Sequence, residues 1–256
     1  METFKILKIN GTIRESSERL VVAEVPITIT ANGKELVTLL STPLNLDDLT
    51  IGFLFSSGLI HKKEEIKKLV IDRQRWNVTV ELDNDLDIEN MIFKRMYTSG
   101  CGKGTLFYNA ADIANRRPLN ANLEIKSSQI TSLMSLFLKS APIYLETGGT
   151  HSAAIANNDK IEIFREDIGR HNAIDKVIGA GLMGDYDLKN KILISSGRIS
   201  SEVIFKMQKA NLAIILSKSA PTDQAVKHAR KMNITIVAFV RGNRMNVYSG
   251  EKRIEI

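Results

Sequence analysis

The spacing of apolar residues in the last third of the chain predicts a regular alternation of strands and helices. Apolar runs at 192–195, 213–216 and 234–240 have the length and composition of buried strands. Between them, residues 202–210 and 223–232 carry apolar side chains at helical spacing. This order predicts an α/β fold with a largely parallel sheet covered by helices.

Two further helices and a pair of strands are predicted upstream of this alternation. Residues 127–139 form an amphipathic helix, and residues 170–178 form a helix that buries Ile174, Val177 and Ile178. Between these helices lie strands at 151–156 and 161–164. The apolar face of the first helix consists of Ile130, Leu133, Met134, Phe137 and Leu138.

The first half of the chain has the pattern of a smaller, strand-rich α+β unit. Asn32-Gly33 lies between apolar runs at 27–30 and 36–40, which is a strong hairpin signal. A helix begins at Asp47 and Asp48 and ends near Gly58.

The rest of this half is less regular. The charged segment 61–68 predicts a second, solvated helix, and residues 76–82 predict a strand. The state of residues 86–97 stays open. Residues 118–122 have the composition of a linker, so we expect a domain at 1–122 and a second domain at 123–256.

Polar residues of similar chemistry follow the three strands of the alternation. The segments are Ser195-Ser196-Gly197-Arg198, Ser217-Lys218-Ser219 and Arg241-Gly242-Asn243-Arg244. In open α/β sheets, ligands bind beyond the carboxyl ends of the strands. One such loop is explained by helix capping alone. Three at one edge favour an anion site, with Arg198 and Lys218 on phosphate oxygens.

A second dense polar segment precedes the helix predicted at 170–178. Arg170 and His171 lie in the first turn of that helix, where a positive charge is unfavourable unless an anion is near. This conflict indicates either a ligand or a buried partner such as Glu166 or Asp167, of which Asp167 is also a candidate helix cap. His151 follows Gly148-Gly149 and is either a ligand contact or part of the scaffold.

Charge and composition narrow the function classes. Lys and Arg outnumber Asp and Glu by 35 to 29, which is compatible with a phosphate-bearing ligand. The absence of a basic tail or of basic residues interleaved with aromatics disfavours nucleic acid. The sequence shows no signal peptide and no membrane-spanning apolar run, so we expect a cytoplasmic protein in which a thiol stays reduced.

The chain has a single cysteine, in the segment Ser99-Gly100-Cys101-Gly102-Lys103-Gly104. The glycines give Cys101 an open backbone, and Lys103 could stabilise the nucleophilic thiolate. The alternative is a flexible glycine loop that merely tolerates cysteine. The four histidines are scattered and no zinc or nucleotide-binding signature occurs, so no metal site is predicted.

Taken together, the segments resemble the formate dehydrogenase accessory sulfurtransferase (FdhD) family. The resemblance covers Val25-Pro26, residues 46–60, the Cys101 loop, Gly148–Ala154, Ser219–Thr222 and residues 241–248. Its most diagnostic part is residues 165–176, Arg-Glu-Asp-Ile-Gly-Arg-His-Asn-Ala-Ile-Asp-Lys.

The resemblance implies a sulfurtransferase that carries sulfur as a cysteine persulfide on Cys101. Sulfur would come from a cysteine desulfurase and pass to molybdenum cofactor, in its bis-molybdopterin guanine dinucleotide form, to activate formate dehydrogenase. The family's cofactor-binding stretch matches Phe239, Val240, Arg241, Gly242, Asn243 and Arg244. The second half of the family is similar to the cytidine deaminase fold, and a homodimer is compatible with the resemblance.

One position departs from the family pattern. Many relatives carry Cys-Gly-x-Cys in this loop, whereas here the second cysteine is replaced by Gly104. One thiol can hold a persulfide but cannot release sulfur by closing an internal disulfide. Two alternatives stay open: a chaperone that delivers the cofactor without sulfur chemistry, and a nucleotide-metabolising enzyme of deaminase-like fold, which the missing zinc signature disfavours.

Overall fold

The structure is a computed structural model of the 256-residue chain. It describes residues 1–83 and 117–256, together with strands β7 and β8 identified below. The predictions for Cys101, Lys103 and Gly104 lie outside the described residues, as does most of the segment 86–97.

The described residues of the first half form a helix and several antiparallel strand pairs. Strands β1 (Glu2–Asn10) and β2 (Ile13–Val21) pair with each other. Strands β3 (Val25–Ala31) and β4 (Lys34–Ser41) form the predicted hairpin, and Asn32 and Gly33 in its turn both have positive φ. Helix α1 (Leu46–Ser57) ends at Gly58, whose φ of 83° is the left-handed cap expected of glycine.

The prediction of a helix at 61–68 is wrong. A short 3-10 turn at Lys63–Glu65 leads into strand β5 (Ile66–Asp72), which pairs with β6 (Asn77–Leu82). Because β6 also pairs with β3, these strands form a sheet of order β4-β3-β6-β5. Pairing within this sheet overrides the helix propensity of the lysines and glutamates. Two short strands, β7 (Arg95–Tyr97) and β8 (Thr105–Phe107), form a separate pair.

The second half follows the predicted order of elements. Its helices are α2 (Ser127–Lys139), α3 (Pro142–Thr147), α4 (Arg170–Met183), α5 (Ser201–Lys209) and α6 (Asp223–Lys231). Its strands are β9 (Ile125–Lys126), β10 (His151–Ala156), β11 (Ile161–Asp167), β12 (Ile192–Ser195), β13 (Ile214–Ser217), β14 (Thr235–Arg241), β15 (Arg244–Ser249) and β16 (Ile254–Glu255). Helix α4 continues five residues beyond the predicted end at Ile178.

The main sheet has the order β11-β10-β12-β13-β14-β15 and is mixed, not largely parallel as predicted. Only the pairs β12–β13 and β13–β14 are parallel. Strand β10 precedes the strand–helix alternation and runs antiparallel to both β11 and β12. The tight turn at Gly242 makes β15 the antiparallel partner of β14. The α/β class predicted from the sequence is confirmed.

Helices cover both faces of this sheet. Helix α2 packs Ile130, Leu133, Met134 and Phe137 onto one face. Leu138, predicted to share that face, is 40% exposed. Helices α4, α5 and α6 cover the other face, and α1 and the β4-β3-β6-β5 sheet contribute to the same core. No helix within the described part of the chain is long and apolar enough to cross a membrane.

Helices α1 and α4 are in backbone contact. A Cβ atom added at Gly52 would collide with the carbonyl oxygen of Asp175, and one added at Gly179 would collide with that of Asp48. An ion pair also connects the two halves of the chain. Arg165 Nε lies 2.7 Å from Asp48 Oδ2, across the boundary predicted near residue 122. The division at that residue stays a prediction.

Candidate functional site

The three polar strand ends lie at one edge of the main sheet. Since β12, β13 and β14 are adjacent and parallel, their carboxyl ends share that edge. The loops there are bound to one another: Ser217 Oγ donates to the carbonyl of Gly197 at 2.9 Å. The amide of Ile199 donates to the carbonyl of Ala220 at 3.0 Å. The loops after β12 and β13 therefore form a joint, hydrogen-bonded rim.

An open groove of about 800 Å³ lies at this rim, between helix α2 and the β14–β15 turn. The wall from helix α2 includes Thr131, Met134, Ser135, Leu138 and Lys139. The opposite wall consists of Lys218, Val240, Arg241, Gly242 and Asn243. The groove thus joins apolar surface to three cations, an arrangement suited to a ligand with a flat ring system and an anionic part.

Lys218 is held beside the groove by an aromatic ring. Its Nζ lies 5.0 Å from the ring centroid of Tyr144 in α3. Among the described residues, no carboxylate lies within ion-pair distance of Lys218. The ammonium group is thereby positioned at the strand ends with its charge available for an anionic ligand.

Phe239 has a left-handed backbone, with φ of 53°. Bulky side chains rarely adopt this conformation, because Cβ crowds the neighbouring carbonyl. The β14–β15 register shifts between Ala238 and Arg241, and the amide of Phe239 donates to the carbonyl of Ser219 at 3.3 Å. Strain of this kind is concentrated at functional sites. Here it changes the register immediately before the residues that line the groove.

The structure brings together five of the predicted phosphate or cofactor contacts. Lys218, Val240, Arg241, Gly242 and Asn243 line the groove. Phe239 and Arg244 flank this stretch and do not line the groove, and both are exposed. Arg198 is exposed on the loop after β12 and does not line it either.

His151 contacts the neighbouring strand end through Ser196. Its Nδ1 lies 3.2 Å from Ser196 Oγ, and the same oxygen accepts the amide of Ser152 at 2.9 Å. Burial, together with the charges of Arg170 and Lys218, lowers the pKa of His151. The imidazole at this edge is therefore neutral at pH 7.

Glu166 and Asp167, the two carboxylates suggested as partners for the first turn of α4, are engaged by other groups. Glu166 accepts hydrogen bonds from the amides of Ile143 and Tyr144 at the start of α3, and Asp167 pairs with Lys176. Nor does Asp167 cap α4, since the cap is Gly169, whose amide donates to Asp167 Oδ1 at 2.9 Å.

A carboxylate of another helix lies near His171, but neither ring nitrogen has a hydrogen-bond partner among the described residues. His171 Nδ1 lies 3.3 Å from Glu202 Oε1 of α5. Burial, then the charges of Lys206 and Arg170, holds the pKa of His171 well below its usual value. The side chain of Arg170 packs on Gly197, where a Cβ atom would come within 2.8 Å of it. Arg170 thus lies at the rim, whereas His171 belongs to the interior.

Sequence reasoning missed the helix wall of the groove. The signal was present: Ser127–Lys139 has Ser, Thr and Gln on its polar side and Lys139 as its one charged residue. A solvated helix face normally carries more charge. Within the described residues, no three potential metal-ligating side chains come together.

The fold and the groove define a class: an α/β protein with a cationic, partly apolar groove at the ends of three parallel strands. The sequence comparison makes the assignment specific. The chain belongs to the FdhD/NarQ family, whose sequence model matches residues 22–255. The family resemblance drawn from the sequence is thereby confirmed.

Individual relatives cover nearly the whole chain. The sulfur carrier protein FdhD of Staphylococcus aureus (strain Newman) is 43% identical over 234 residues, which are 91% of this chain and 88% of the relative. The sulfur carrier protein FdhD of Staphylococcus haemolyticus is 42% identical over 235 residues, with 91% and 89% covered. A crystal structure described as a formate dehydrogenase accessory protein, from Desulfotalea psychrophila, matches with a TM-score of 0.82 at 26% identity over 99% of both chains.

Proposed function

We propose that this protein is a sulfur carrier in formate dehydrogenase maturation. It receives sulfur from a cysteine desulfurase as a persulfide on Cys101 and passes it to bis-molybdopterin guanine dinucleotide, the molybdenum cofactor of the client enzyme. The proposal is supported by family membership over residues 22–255 and by the sulfur carrier proteins to which the chain is similar. The formate dehydrogenase context comes from the similar crystal structure.

The sulfur chemistry rests on Cys101, the one thiol of the chain. Its thiolate attacks the terminal sulfur of the desulfurase persulfide, a new S–S bond forms on Cys101, and the desulfurase cysteine leaves as a thiolate. This step is an exchange and needs no oxidant. Lys103, two residues on, stabilises the thiolate.

The cofactor is cargo, and the groove at the strand ends is where we place its guanine nucleotide. This placement is supported by one groove, which is lined by Val240, Arg241, Gly242 and Asn243 together with Lys218. Leu136 and Leu138 are exposed in the groove and offer apolar surface to a flat ring. Lys218 and Arg241 offer charge to phosphate oxygens. A sulfurtransferase of this kind holds the acceptor while Cys101 delivers the sulfur.

Gly104 constrains the release of sulfur. Because the chain has no second thiol, it cannot release sulfide by closing an internal disulfide. Two routes balance without a second cysteine. A thiol of another protein attacks the inner sulfur of the Cys101 persulfide, forms a disulfide with Cys101 and releases hydrosulfide to the cofactor. Alternatively, the reduced cofactor accepts the outer sulfur and supplies the two electrons itself, and Cys101 leaves as a thiolate.

Intact-protein mass spectrometry tests the sulfur chemistry. The full chain is incubated with a cysteine desulfurase and cysteine without reductant, beside a Cys101→Ser control. We expect a sulfur adduct on the wild type and none on the control. A wild type without adduct that still binds guanine nucleotide would favour the chaperone, which the absence of a second thiol also brings into consideration.

Guanosine 5′-diphosphate (GDP) binding tests the groove. We expect Arg241→Ala to weaken GDP binding about tenfold in titration calorimetry, since it removes a charge-assisted contact. Arg75→Ala, at an exposed arginine of the turn between β5 and β6, is the matched control and keeps wild-type affinity. Equal affinities of wild type and Arg241→Ala would place the nucleotide elsewhere.

A further inference from the structure

Strands β1 and β2 form a two-stranded ribbon with no further strand beside it. Within the described residues, β1 pairs only with β2, and the ribbon belongs to no larger sheet. None of its side chains is buried, and only Ile6, Ser17 and Leu20 are half-buried. The ribbon touches the body of the protein where β2 contacts helix α3. Because an isolated pair of strands is at best marginally stable in water, this ribbon lacks the third strand or apolar cover that such a pair requires.

The two strands of the ribbon differ in chemistry. The middle of β2, residues 14–19, reads Arg-Glu-Ser-Ser-Glu-Arg, whereas residues 4–9 of β1 read Phe-Lys-Ile-Leu-Lys-Ile. Charged side chains along an edge strand oppose pairing with another chain, and apolar side chains favour it. The polar middle of β2 therefore protects its free edge, whereas the free edge of β1 is suited to a further strand.

The apolar side chains of β1 have no apolar partners within the ribbon. The register places a polar residue of β2 opposite each of them: Phe4 opposite Arg19, Ile6 opposite Ser17, Leu7 opposite Ser16 and Ile9 opposite Arg14. Phe4, Leu7 and Ile9 are accordingly 47%, 58% and 61% exposed. Since cross-strand pairs of side chains stabilise a sheet, we expect the missing apolar partners on the side of β1 that faces away from β2.

The sequence of β1 is complementary to itself in the antiparallel direction. Pairing all of residues 2–10 with the same residues of a second copy places Ile6 on the two-fold axis. The other opposed residues, one from each copy, are then Lys5 and Leu7, Phe4 and Lys8, Thr3 and Ile9, and Glu2 and Asn10.

This register brings together side chains that attract one another. No like charges are directly opposed, the carboxylate of Glu2 lies diagonal to Lys8 of the other copy, and the same lysine lies opposite the ring of Phe4. A shift of the register by two residues in either direction shortens the ladder, and in one direction it opposes the two copies of Lys5. Charge and length therefore favour the register with Ile6 on the axis.

We propose that the protein forms a homodimer by antiparallel pairing of β1 with β1 of a second copy. The contact is isologous, because the same strand contributes from both subunits. It converts two ribbons into one four-stranded sheet of order β2-β1-β1-β2, which has the three or more strands that independent stability requires. The charged β2 strands remain outermost, so assembly stops at two subunits. The dimer depends neither on the sulfur chemistry nor on the cofactor.

Sedimentation equilibrium on the full chain measures the assembly. At micromolar concentration we expect the wild type to have twice the 28.5 kDa mass of the chain. Ile6→Lys replaces the apolar pair on the axis by two opposed lysines and should raise the dissociation constant of the dimer about tenfold. Ser17→Lys, which adds the same charge directly opposite on β2, is the matched control and should change this constant by less than about twofold.

Disulfide trapping tests the register. In a Cys101→Ser background, Ile6→Cys should form an intermolecular disulfide under mild oxidation, because opposed residues of an antiparallel ladder have Cα atoms about 4.5–5.5 Å apart. Ser17→Cys, on the outer strand, should form none. Phe4→Cys and Lys8→Cys should form a disulfide when the two variants are mixed, but neither should do so alone.

Three results would overturn the proposal. The first is a wild type that sediments as a monomer. The second is a dimer whose dissociation constant is the same in Ile6→Lys, since such a dimer uses another surface. The third is trapping through Ser17→Cys in place of Ile6→Cys, which would assign the contact to β2. Circular dichroism shows whether each variant is folded, and disulfide trapping decides the outcome should Ile6→Lys not fold.

Discussion

Lys176 Nζ lies 2.6 Å from Asp167 Oδ2, and both side chains are completely buried. The same carboxylate oxygen accepts hydrogen bonds from Ser41 Oγ at 2.6 Å and from the amide of Thr42 at 3.1 Å. The pair thereby joins helix α4 and the end of β11 to the end of β4, behind the rim of the groove. Since the residues around it come from both halves of the chain, the pair contributes to their attachment.

We expect Lys176→Met to destabilise the protein by about 3–5 kcal/mol, because the methionine leaves a buried carboxylate without its cation. Chemical denaturation monitored by circular dichroism gives the free energy of unfolding. The matched control is Lys227→Met, which breaks the exposed Lys227–Asp223 pair and should change stability by less than about 1 kcal/mol. Similar losses in the two variants would mean that burial does not decide the contribution of the pair.

The contact between α1 and α4 gives a second prediction. Gly52→Ala places a Cβ atom against the carbonyl of Asp175, where the backbone has to move, and we expect a loss of about 2–3 kcal/mol or more. Gly11→Ala is the control for backbone strain alone, since Gly11 has φ of 61° but open space around it. Its expected cost is about 1 kcal/mol, and an equal cost at Gly52 would contradict the close contact.

The elements predicted correctly are those whose sequence signal lies entirely within the element itself. The hairpin at Asn32-Gly33 and the helix Ser127–Lys139 needed only turn chemistry and apolar spacing. Strand β5 was not predictable in this way, because its lysines suit an exposed helix equally well and only pairing with β6 decides its state. The antiparallel direction of β10 likewise depends on non-local pairing with β12, which periodicity does not encode.

The candidate site was predictable where it depends on strand order. Adjacent parallel strands bring Lys218 and Arg241 to one edge, as expected from the alternation. The helix wall at Leu136 and Leu138 was missed, although the low charge of the polar side of Ser127–Lys139 was a signal for it. The carboxylate near His171 was missed as well, since Glu202 comes from a helix distant in sequence.

The backbone strain at Phe239 gives a third prediction. Glycine adopts a positive φ freely, so Phe239→Gly should be about 1 kcal/mol more stable than Phe239→Ala, the reverse of their usual order within a strand. Comparing the two variants cancels the lost phenyl contacts, and denaturant titration measures the difference. An alanine variant at least as stable as the glycine variant would show that the left-handed conformation is not retained in solution.

The pH dependence of stability gives the last prediction, through His171. Burial keeps the pKa of this histidine well below its unfolded value of about 6.5, so between the two values the unfolded chain binds a proton that the folded chain does not. His171 therefore contributes stability fully above pH 6.5 and loses it progressively below. From pH 7.5 to 5.5 we expect this residue to lower the free energy of unfolding by on the order of 1 kcal/mol.

The measurement is a difference between variants, because neighbouring groups titrate too. Burial lowers the pKa of His151, which acts in the same direction, and raises the pKa of Glu202, which acts in the opposite direction on the acid side. His171→Gln cannot titrate, so denaturation at pH 7.5 and 5.5 should show a smaller decrease for this variant than for the wild type. His61→Gln, at an exposed histidine, should decrease as the wild type does. If His171→Gln lost as much stability as the wild type on acidification, the buried imidazole would not be held neutral by the fold.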